Sequence, residues 1–171
     1  QLETGALLRD YSTAISIAFN ALELGSGSRV LISALSPSSY IKEMEKLSLI
    51  PVYADVDPST GCIDLLMIQE LINSGIDAII LYSPTGISHD YTLISDLDIP
   101  VIEDITTTIA CHPGEDALDW KADIVILRME LMDIITSGEG SAVFAGNKKN
   151  LPGIRTILAD LPPTAFLLNM H

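Results

Sequence analysis

The sequence is poor in basic residues, and this shortage excludes two classes of partner. Its 171 residues include 9 Lys and Arg against 23 Asp and Glu, which gives a formal charge of −14 at pH 7. A charge of this sign repels nucleic acid phosphates and anionic membranes at long range. We therefore expect neither a nucleic acid partner nor a membrane partner.

Long apolar runs and closely spaced cysteines are also missing. No apolar run approaches the roughly 20 residues of a membrane-spanning helix, and the first residues do not resemble a leader segment. Cys62 and Cys111 have neither metal-ligand spacing nor the density of a disulfide scaffold, so we expect buried, reduced thiols. His89 and His112 are expected on the surface, and no metal site is predicted. This combination predicts a cytoplasmic protein.

Apolar side chains, in contrast, are abundant, at 48% of the residues against 19% charged. They form short runs that suit strands buried on both faces of a parallel sheet. The length allows one domain with a sizeable core and is too short for two ordinary domains. Residues 1–171 are therefore predicted to form a single domain.

Short apolar runs alternate with segments of helical periodicity along the chain. We predict strands at residues 29–33, 51–54, 77–82, 100–104, 122–127 and 141–145. We predict helices at residues 12–24, 37–48, 65–72, 93–97 and 151–161. This alternation predicts a three-layer α/β/α sandwich with a mostly parallel sheet, in which ligands bind at the carboxyl ends of the strands.

Four segments carry a resemblance to a known family through their order and spacing. They are residues 21–30, 51–58, 101–104 and 137–143, the last reading Ser-Gly-Glu-Gly-Ser-Ala-Val. Over roughly residues 8–157, the chain resembles the DegT/DnrJ/EryC1/StrS aminotransferases. The resemblance implies the large domain of a fold type I pyridoxal-phosphate-dependent transferase, without the C-terminal small domain of the family.

The cofactor-binding lysine of that family has no counterpart in this chain. In the family, it lies five residues before the first glycine of the Gly-Glu-Gly turn, and counting back from Gly138 gives Asp133. No lysine lies between Lys121 and Lys148. A carboxylate cannot form an imine with pyridoxal phosphate, so the resemblance implies that transaldimination is blocked.

The resemblance assigns the remaining cofactor contacts to four candidate residues. Asp104 matches the aspartate that pairs with the protonated pyridine nitrogen. Thr107 stands where the family has a glutamine, and Arg128 stands where it has a phosphate-binding serine. Ser12 lies in the turn that binds the phosphate.

Three further positions near these candidates differ from the family pattern. Tyr11 replaces the glycine that permits close approach to the phosphate, and Asp10 adds negative charge there. Pro37 stands where an aromatic residue stacks on the cofactor, and Tyr40 is the nearest aromatic residue after it.

Several candidates also have structural interpretations that the sequence leaves open. Ser12 suits the N-cap of a helix, which is the interpretation we favour. Asp104 suits a cap of the segment after its strand, and Arg128 could pair with Asp133 or Glu130 instead of a phosphate.

These differences predict a degenerate aminotransferase-like domain that does not transaminate and is retained for binding or assembly. Its partner would be a second copy or another protein, with a small-molecule ligand as a further option. No cofactor is then expected, and pyridoxal phosphate is expected if the family role persists. The alternative is an aminotransferase or dehydratase that uses pyridoxal phosphate on a nucleotide sugar, with missing groups supplied by another chain or domain.

Overall fold

Strands and helices alternate along the chain, as the sequence predicts. A computed structural model describes residues 4–89, 98–109, 111, 122–146 and 148–166. The strands described are β1 (Thr4–Leu8), β2 (Arg29–Ser33), β3 (Ile50–Ala54), β4 (Ala78–Tyr82), β5 (Val101–Asp104), β6 (Ile124–Arg128) and β7 (Ser141–Ala145). The helices are α1 (Tyr11–Ala21), α2 (Ser38–Leu47), α3 (Leu65–Asn73) and α4 (Leu151–Asp160), with short 3₁₀ turns at Lys148–Asn150 and Pro163–Ala165.

The strands of the described ranges form one mixed sheet with the order β1-β7-β6-β5-β4-β2-β3. Strands β3, β2, β4, β5 and β6 run parallel to one another. Strand β7 is antiparallel to both β6 and β1. The predicted, mostly parallel sheet is confirmed, and the carboxyl ends of its parallel strands share one edge.

Successive side chains of a strand point to opposite faces of the sheet, and here both faces are covered. Ile80 of β4 and Ile102 of β5 pack on the same side as Phe19 of α1, together with side chains of α2 and α4. Ile79 of β4 packs on the other side with Ile68 of α3. The predicted three-layer arrangement follows from these two cores.

The sequence did not predict β1. Its five residues, Thr-Gly-Ala-Leu-Leu, include a glycine, which weakens the strand signal. The strand depends on a tertiary contact: Gly5 lies opposite Phe144 of β7, and the Phe144 ring occupies the space that a Cβ on Gly5 would need. The helix predicted at residues 93–97 lies outside the described residues.

Two expectations about side-chain exposure were wrong. Cys62 is buried as expected, but Cys111 is exposed. His89 is buried rather than on the surface. The loop that carries it after β4 contacts the turn at Thr60 through a 2.5 Å hydrogen bond from Thr85 Oγ1 to the Thr60 carbonyl oxygen. Burial lowers the pKa of His89 to about 4. His112 lies outside the described residues.

None of the helices in the described ranges combines the length and the apolar composition that a membrane span requires. Within the same residues, no group of three or more His, Cys, Asp or Glu side chains is arranged to hold a metal ion.

We predict that Gly146→Ala destabilises the fold, because a Cβ at this position would lie 1.9 Å from the carbonyl oxygen of Ala122. Forcing the backbone apart should lower the free energy of unfolding by about 1–3 kcal/mol. Gly25→Ala is the matched control, since nothing lies within 4 Å of its Cβ, and it should change stability by less than about 1 kcal/mol. Urea unfolding of both variants measures this, and equal midpoints would contradict the packing described.

Candidate functional site

The carboxyl ends of β4, β5 and β6 bring three polar side chains to one edge of the sheet. Tyr82 ends β4 and lies opposite Asp104, which ends β5, while Arg128 ends β6. Tyr11, the first residue of α1, and Tyr40, in the first turn of α2, reach the same edge. In open α/β sheets this edge is where ligands bind.

Asp104 is the most deeply buried acid of this edge, with only 1% of its surface exposed. Its Oδ2 accepts hydrogen bonds from the hydroxyls of Tyr11 and Tyr40, the latter at 3.0 Å. Its Oδ1 accepts from the backbone N–H of Thr106 at 3.0 Å and from Thr106 Oγ1 at 2.5 Å. Asp104 therefore caps the segment after its strand, as the structural interpretation of the sequence proposed, and also binds two helices.

These four donors match the acceptor capacity of a carboxylate, whose two oxygens offer about four lone-pair positions. A buried carboxylate needs such partners, because taking it out of water without them is costly. Burial raises the pKa of Tyr11 well above its usual value, and Tyr40 and Asp104 raise it further. Burial followed by the Asp104 charge has the same effect on Tyr40. Both hydroxyls thus keep their protons and act as donors.

Arg128 forms the second half of the site through an ion pair with Asp133. Its Nη2 lies 2.8 Å from Asp133 Oδ1 and its Nε lies 3.0 Å from Oδ2, so the pair is bidentate. The pair raises the pKa of Arg128 above its usual range. Glu130 lies farther away, at 3.7 Å from Nε. Of the alternatives that the sequence left open, pairing with Asp133 dominates.

The Tyr11 ring connects the two halves. The guanidinium carbon of Arg128 lies 5.4 Å from the ring centroid, which is within cation–π range. The Tyr40 ring meets Tyr11 edge to face, with centroids 5.8 Å apart. The backbone N–H of Arg128 also donates to Thr106 Oγ1, at 2.9 Å. Asp104, Tyr11, Arg128 and Asp133 therefore form one continuous network.

Residues 129–140 connect β6 to β7 and present apolar side chains to solvent. Asp133 points inward, where its Oδ2 accepts the Glu130 N–H at 2.7 Å. Four large apolar side chains of the same loop are exposed, at 76% for Leu131, 96% for Met132, 56% for Ile134 and 42% for Ile135. A cavity of about 440 Å³ lies beside this loop, with Arg9, Leu131, Met132 and Glu139 in its lining.

The structure does not bring all the candidate residues together. Thr107 donates its hydroxyl to the carbonyl oxygen of Ser83 after β4, rather than facing Asp104. Ser12 lies in the first turn of α1 and is not its N-cap, so the favoured expectation was wrong. The cap is Asp10, whose Oδ1 accepts the Thr13 N–H at 2.7 Å, because the helix begins one residue earlier than predicted.

The sequence indicated Tyr11 only as a departure from the family pattern and Tyr40 only as the nearest aromatic residue after Pro37, so their contacts with Asp104 were not predicted. The available signal was their hydroxyl groups. A buried tyrosine hydroxyl usually has a hydrogen-bond partner, and a predicted strand-end aspartate nearby is an acceptor. Thr106 was missed because a threonine run gives no indication of which hydroxyl turns inward.

Known proteins align with most of this chain, including the segments singled out in the sequence. The model of the DegT/DnrJ/EryC1/StrS aminotransferase family matches residues 9–158. An L-glutamine:2-deoxy-scyllo-inosose aminotransferase from Micromonospora echinospora is 26% identical over 146 residues, which cover 80% of this chain and 33% of that protein. An L-glutamine:scyllo-inosose aminotransferase from Streptomyces griseus is 25% identical over 142 residues, covering 77% of this chain and 32% of that protein. The chain thus spans about a third of the length of these relatives.

Solved structures show the same fold at lower identity. PseC from Helicobacter pylori, an aminotransferase involved in pseudoaminic acid biosynthesis, superimposes with a TM-score of 0.80 at 16% identity, over 90% of this chain and 43% of that chain. NtdA from Bacillus subtilis, solved with bound cofactor PMP, gives a TM-score of 0.78 at 23% identity, over 98% of this chain and 40% of that chain.

We predict that Tyr40→Phe lowers the free energy of unfolding by about 1.5–3 kcal/mol, because it removes one donor from a buried carboxylate. Tyr53→Phe is the matched control, since Tyr53 is 56% exposed, and should cost less than about 0.5 kcal/mol. In an Asp104→Asn background the cost of Tyr40→Phe should shrink, as the acceptor is no longer charged. Equal costs in both backgrounds, measured by urea unfolding, would show that Asp104 is not the partner that matters.

Proposed function

Because the chain belongs to the DegT/DnrJ/EryC1/StrS aminotransferase family, we propose that it is a non-transaminating member, retained for binding or assembly, whose cofactor position is occupied by its own side chains. One observation carries this proposal: the Tyr11 hydroxyl is bound to Asp104 while the Tyr11 ring lies beside Arg128. We expect this role to be exercised in the cytoplasm, given the two widely spaced cysteines.

The residues at the strand ends do not fit the pyridine ring of pyridoxal phosphate. In the family pattern, the residue matched by Asp104 accepts a hydrogen bond from the protonated pyridine nitrogen. Here its four acceptor positions are taken by Tyr11, Tyr40 and Thr106. A pyridine N–H could reach Asp104 only if one of the tyrosines moved away, which would leave a buried polar group without its partner.

The residues on the other side do not fit the anchoring of the cofactor either. The position that matches the lysine holds Asp133, which has no amine, and only 5% of its side chain is exposed. Its carboxylate takes the Nε and Nη2 donors of Arg128 and balances the charge that would otherwise attract a phosphate. The two differences are complementary, because the residue that replaces the lysine is the one that pairs with Arg128.

A binding or assembly role is supported by the exposed loop. Leu131, Met132, Ile134 and Ile135 form a contiguous stretch interrupted only by the inward-pointing Asp133. Exposed apolar clusters of this kind are typical of surfaces that another protein covers. We propose that this loop contacts a second copy of the chain, with another protein as the alternative partner.

We predict that the purified chain forms no saturable adduct with pyridoxal phosphate. Incubation, borohydride reduction and peptide mass mapping should find only adducts at exposed lysines, in proportion to the free reagent. Asp133→Lys should likewise form no imine at position 133, because Tyr11 still occupies Asp104.

Glu23→Lys is a suitable control for that variant, as it adds a lysine at an exposed position without touching the site. A saturable adduct at one lysine of the unaltered chain would contradict the proposed function. It would favour an aminotransferase or dehydratase that receives its missing groups from elsewhere.

We predict that Leu131→Ser combined with Met132→Ser abolishes self-association. Light scattering after size-exclusion chromatography should give a dimer for the unaltered chain and a mass near 18.4 kDa for the variant. Ile50→Ser is the matched control, since Ile50 is 48% exposed at the opposite end of the parallel strands. A monomer before substitution would contradict self-association, and identical masses for the loop variant and the unaltered dimer would exclude the loop.

A further inference from the structure

A groove beside α1 is separate from the network at the strand ends. It encloses about 520 Å³ and is lined by residues of α1, α2 and the end of α4. None of the four residues of the strand-end network lines it. Along α1 the lining extends from Asp10 to Asn20, which corresponds to a length of about 15 Å. A groove of this size and length accommodates a small molecule with an extended body.

Glu43 of α2 is a buried acid in the lining of this groove, and only 3% of its surface is exposed. Its Oε1 accepts a hydrogen bond from Lys46 Nζ at 2.6 Å, and within the described residues Lys46 is its single donor. Asp104, which is buried to a similar degree, accepts from four donors. Because a carboxylate offers about four acceptor positions, Glu43 retains Oε2 for a donor that the described part of the chain does not supply.

The groove offers further acceptors and an apolar surface. Asn20 donates its Nδ2 to the carbonyl oxygen of Ser16 at 2.7 Å, which leaves Asn20 Oδ1 as an acceptor. Asp10 adds an exposed carboxylate at the start of α1. Three aliphatic side chains also line the groove: Ile17, Ile157 and Leu161. A ligand that matches this lining is rich in donors and has an apolar part.

The charge of the lining favours a ligand with one positive charge. Its charged side chains are two carboxylates, those of Asp10 and Glu43, and the ammonium of Lys46. Since Lys46 pairs with Glu43, one negative charge remains in excess. The net charge of the chain, −14, acts in the same direction. A monocation would therefore balance the groove, whereas an anion is disfavoured.

We infer that this groove is a binding site for a small organic monocation, a guanidinium group on a short aliphatic stem. A guanidinium presents five N–H donors and no acceptor, and its planar fork matches a carboxylate such as Glu43. It is also more weakly hydrated than an ammonium, so it loses less on entering a half-apolar groove. The stem would cover the aliphatic side chains of the lining. This site is independent of the proposed function, because it uses none of the residues that occupy the cofactor position.

The test is an NMR titration of the unaltered, ¹⁵N-labelled chain with 1-butylguanidinium. We expect saturable shifts of backbone amides in α1, α2 and α4 and of the Asn20 side-chain amide. Butylurea has nearly the same shape without the charge, and butylammonium has the same stem and charge without the planar fork. Both should bind about tenfold or more weakly.

Glu43→Gln keeps the size of the side chain and removes the charged acceptor, so it should lower the affinity for 1-butylguanidinium about tenfold or more. Glu45→Gln is the matched control, since it removes the same charge from an exposed position of the same helix and should change the affinity less than about twofold. If Glu43→Gln does not fold, Asn20→Ala replaces it. Asn20 is exposed and alanine suits a helix, and loss of its Oδ1 should lower the affinity about threefold or more.

Four results would overturn this site: no saturable shifts, shifts centred on residues 129–140 instead of the three helices, equal affinity for the three compounds, or equal effects of Glu43→Gln and Glu45→Gln. None of these results bears on the proposed function, which a saturable lysine adduct of pyridoxal phosphate on the unaltered chain would contradict.

Discussion

The structure of the strand-end edge depends on one constraint, the need of the buried Asp104 carboxylate for hydrogen-bond donors. An acid with 1% exposure is tolerated only when its oxygens are bonded. Because Thr106 supplies two donors, its backbone N–H and its hydroxyl, the other two must come from helices packed on the sheet. Tyr11 and Tyr40 supply them, so the carboxylate ties α1 and α2 to the end of β5.

The same constraint explains why the changes at this site belong together. A tyrosine at the start of α1 reaches Asp104 only if its ring occupies the space in front of the strands, and a cation beside that ring then stabilises it. Arg128 provides the cation, and the acid at position 133 balances its charge within a mostly buried setting. Removal of either partner alone would leave the other charge poorly compensated. Family membership thus accounts for the fold, and this network accounts for its altered site.

The sequence was sufficient for the parts of the structure that depend on local pattern. The segments of β2, β4 and β5 are short and apolar, and the spacing of their apolar residues distinguishes them from α1 and α2. Strand β1 was missed because it exists through its pairing with β7 and through the packing of Phe144 over Gly5, which no local pattern encodes. The shift of the N-cap from Ser12 to Asp10 has a similar origin, since both residue types cap helices and the tertiary position of Tyr11 decides between them.

The sequence predicted where the residues of the candidate site lie but not which contacts they make. Spacing from Gly138 located Asp133, and the strand end located Asp104, while the pairing of Arg128 was left between two acids. What the sequence lacked was the direction of side chains 93 residues apart, such as Tyr11 and Asp104. The direction of a side chain follows from the fold. The sequence therefore indicated Tyr11 as the loss of a cofactor contact, whereas in the structure Tyr11 makes a new contact within the chain.

Tyr11 should occupy the position in front of Asp104 even when a cofactor is offered. The most direct measurement is a crystal structure of the unaltered chain grown in excess pyridoxal phosphate. We expect electron density that shows the Tyr11 hydroxyl on Asp104 and Arg128 paired with Asp133, with no density for a cofactor between them. Density for the cofactor ring against Asp104, with Tyr11 turned away, would contradict it.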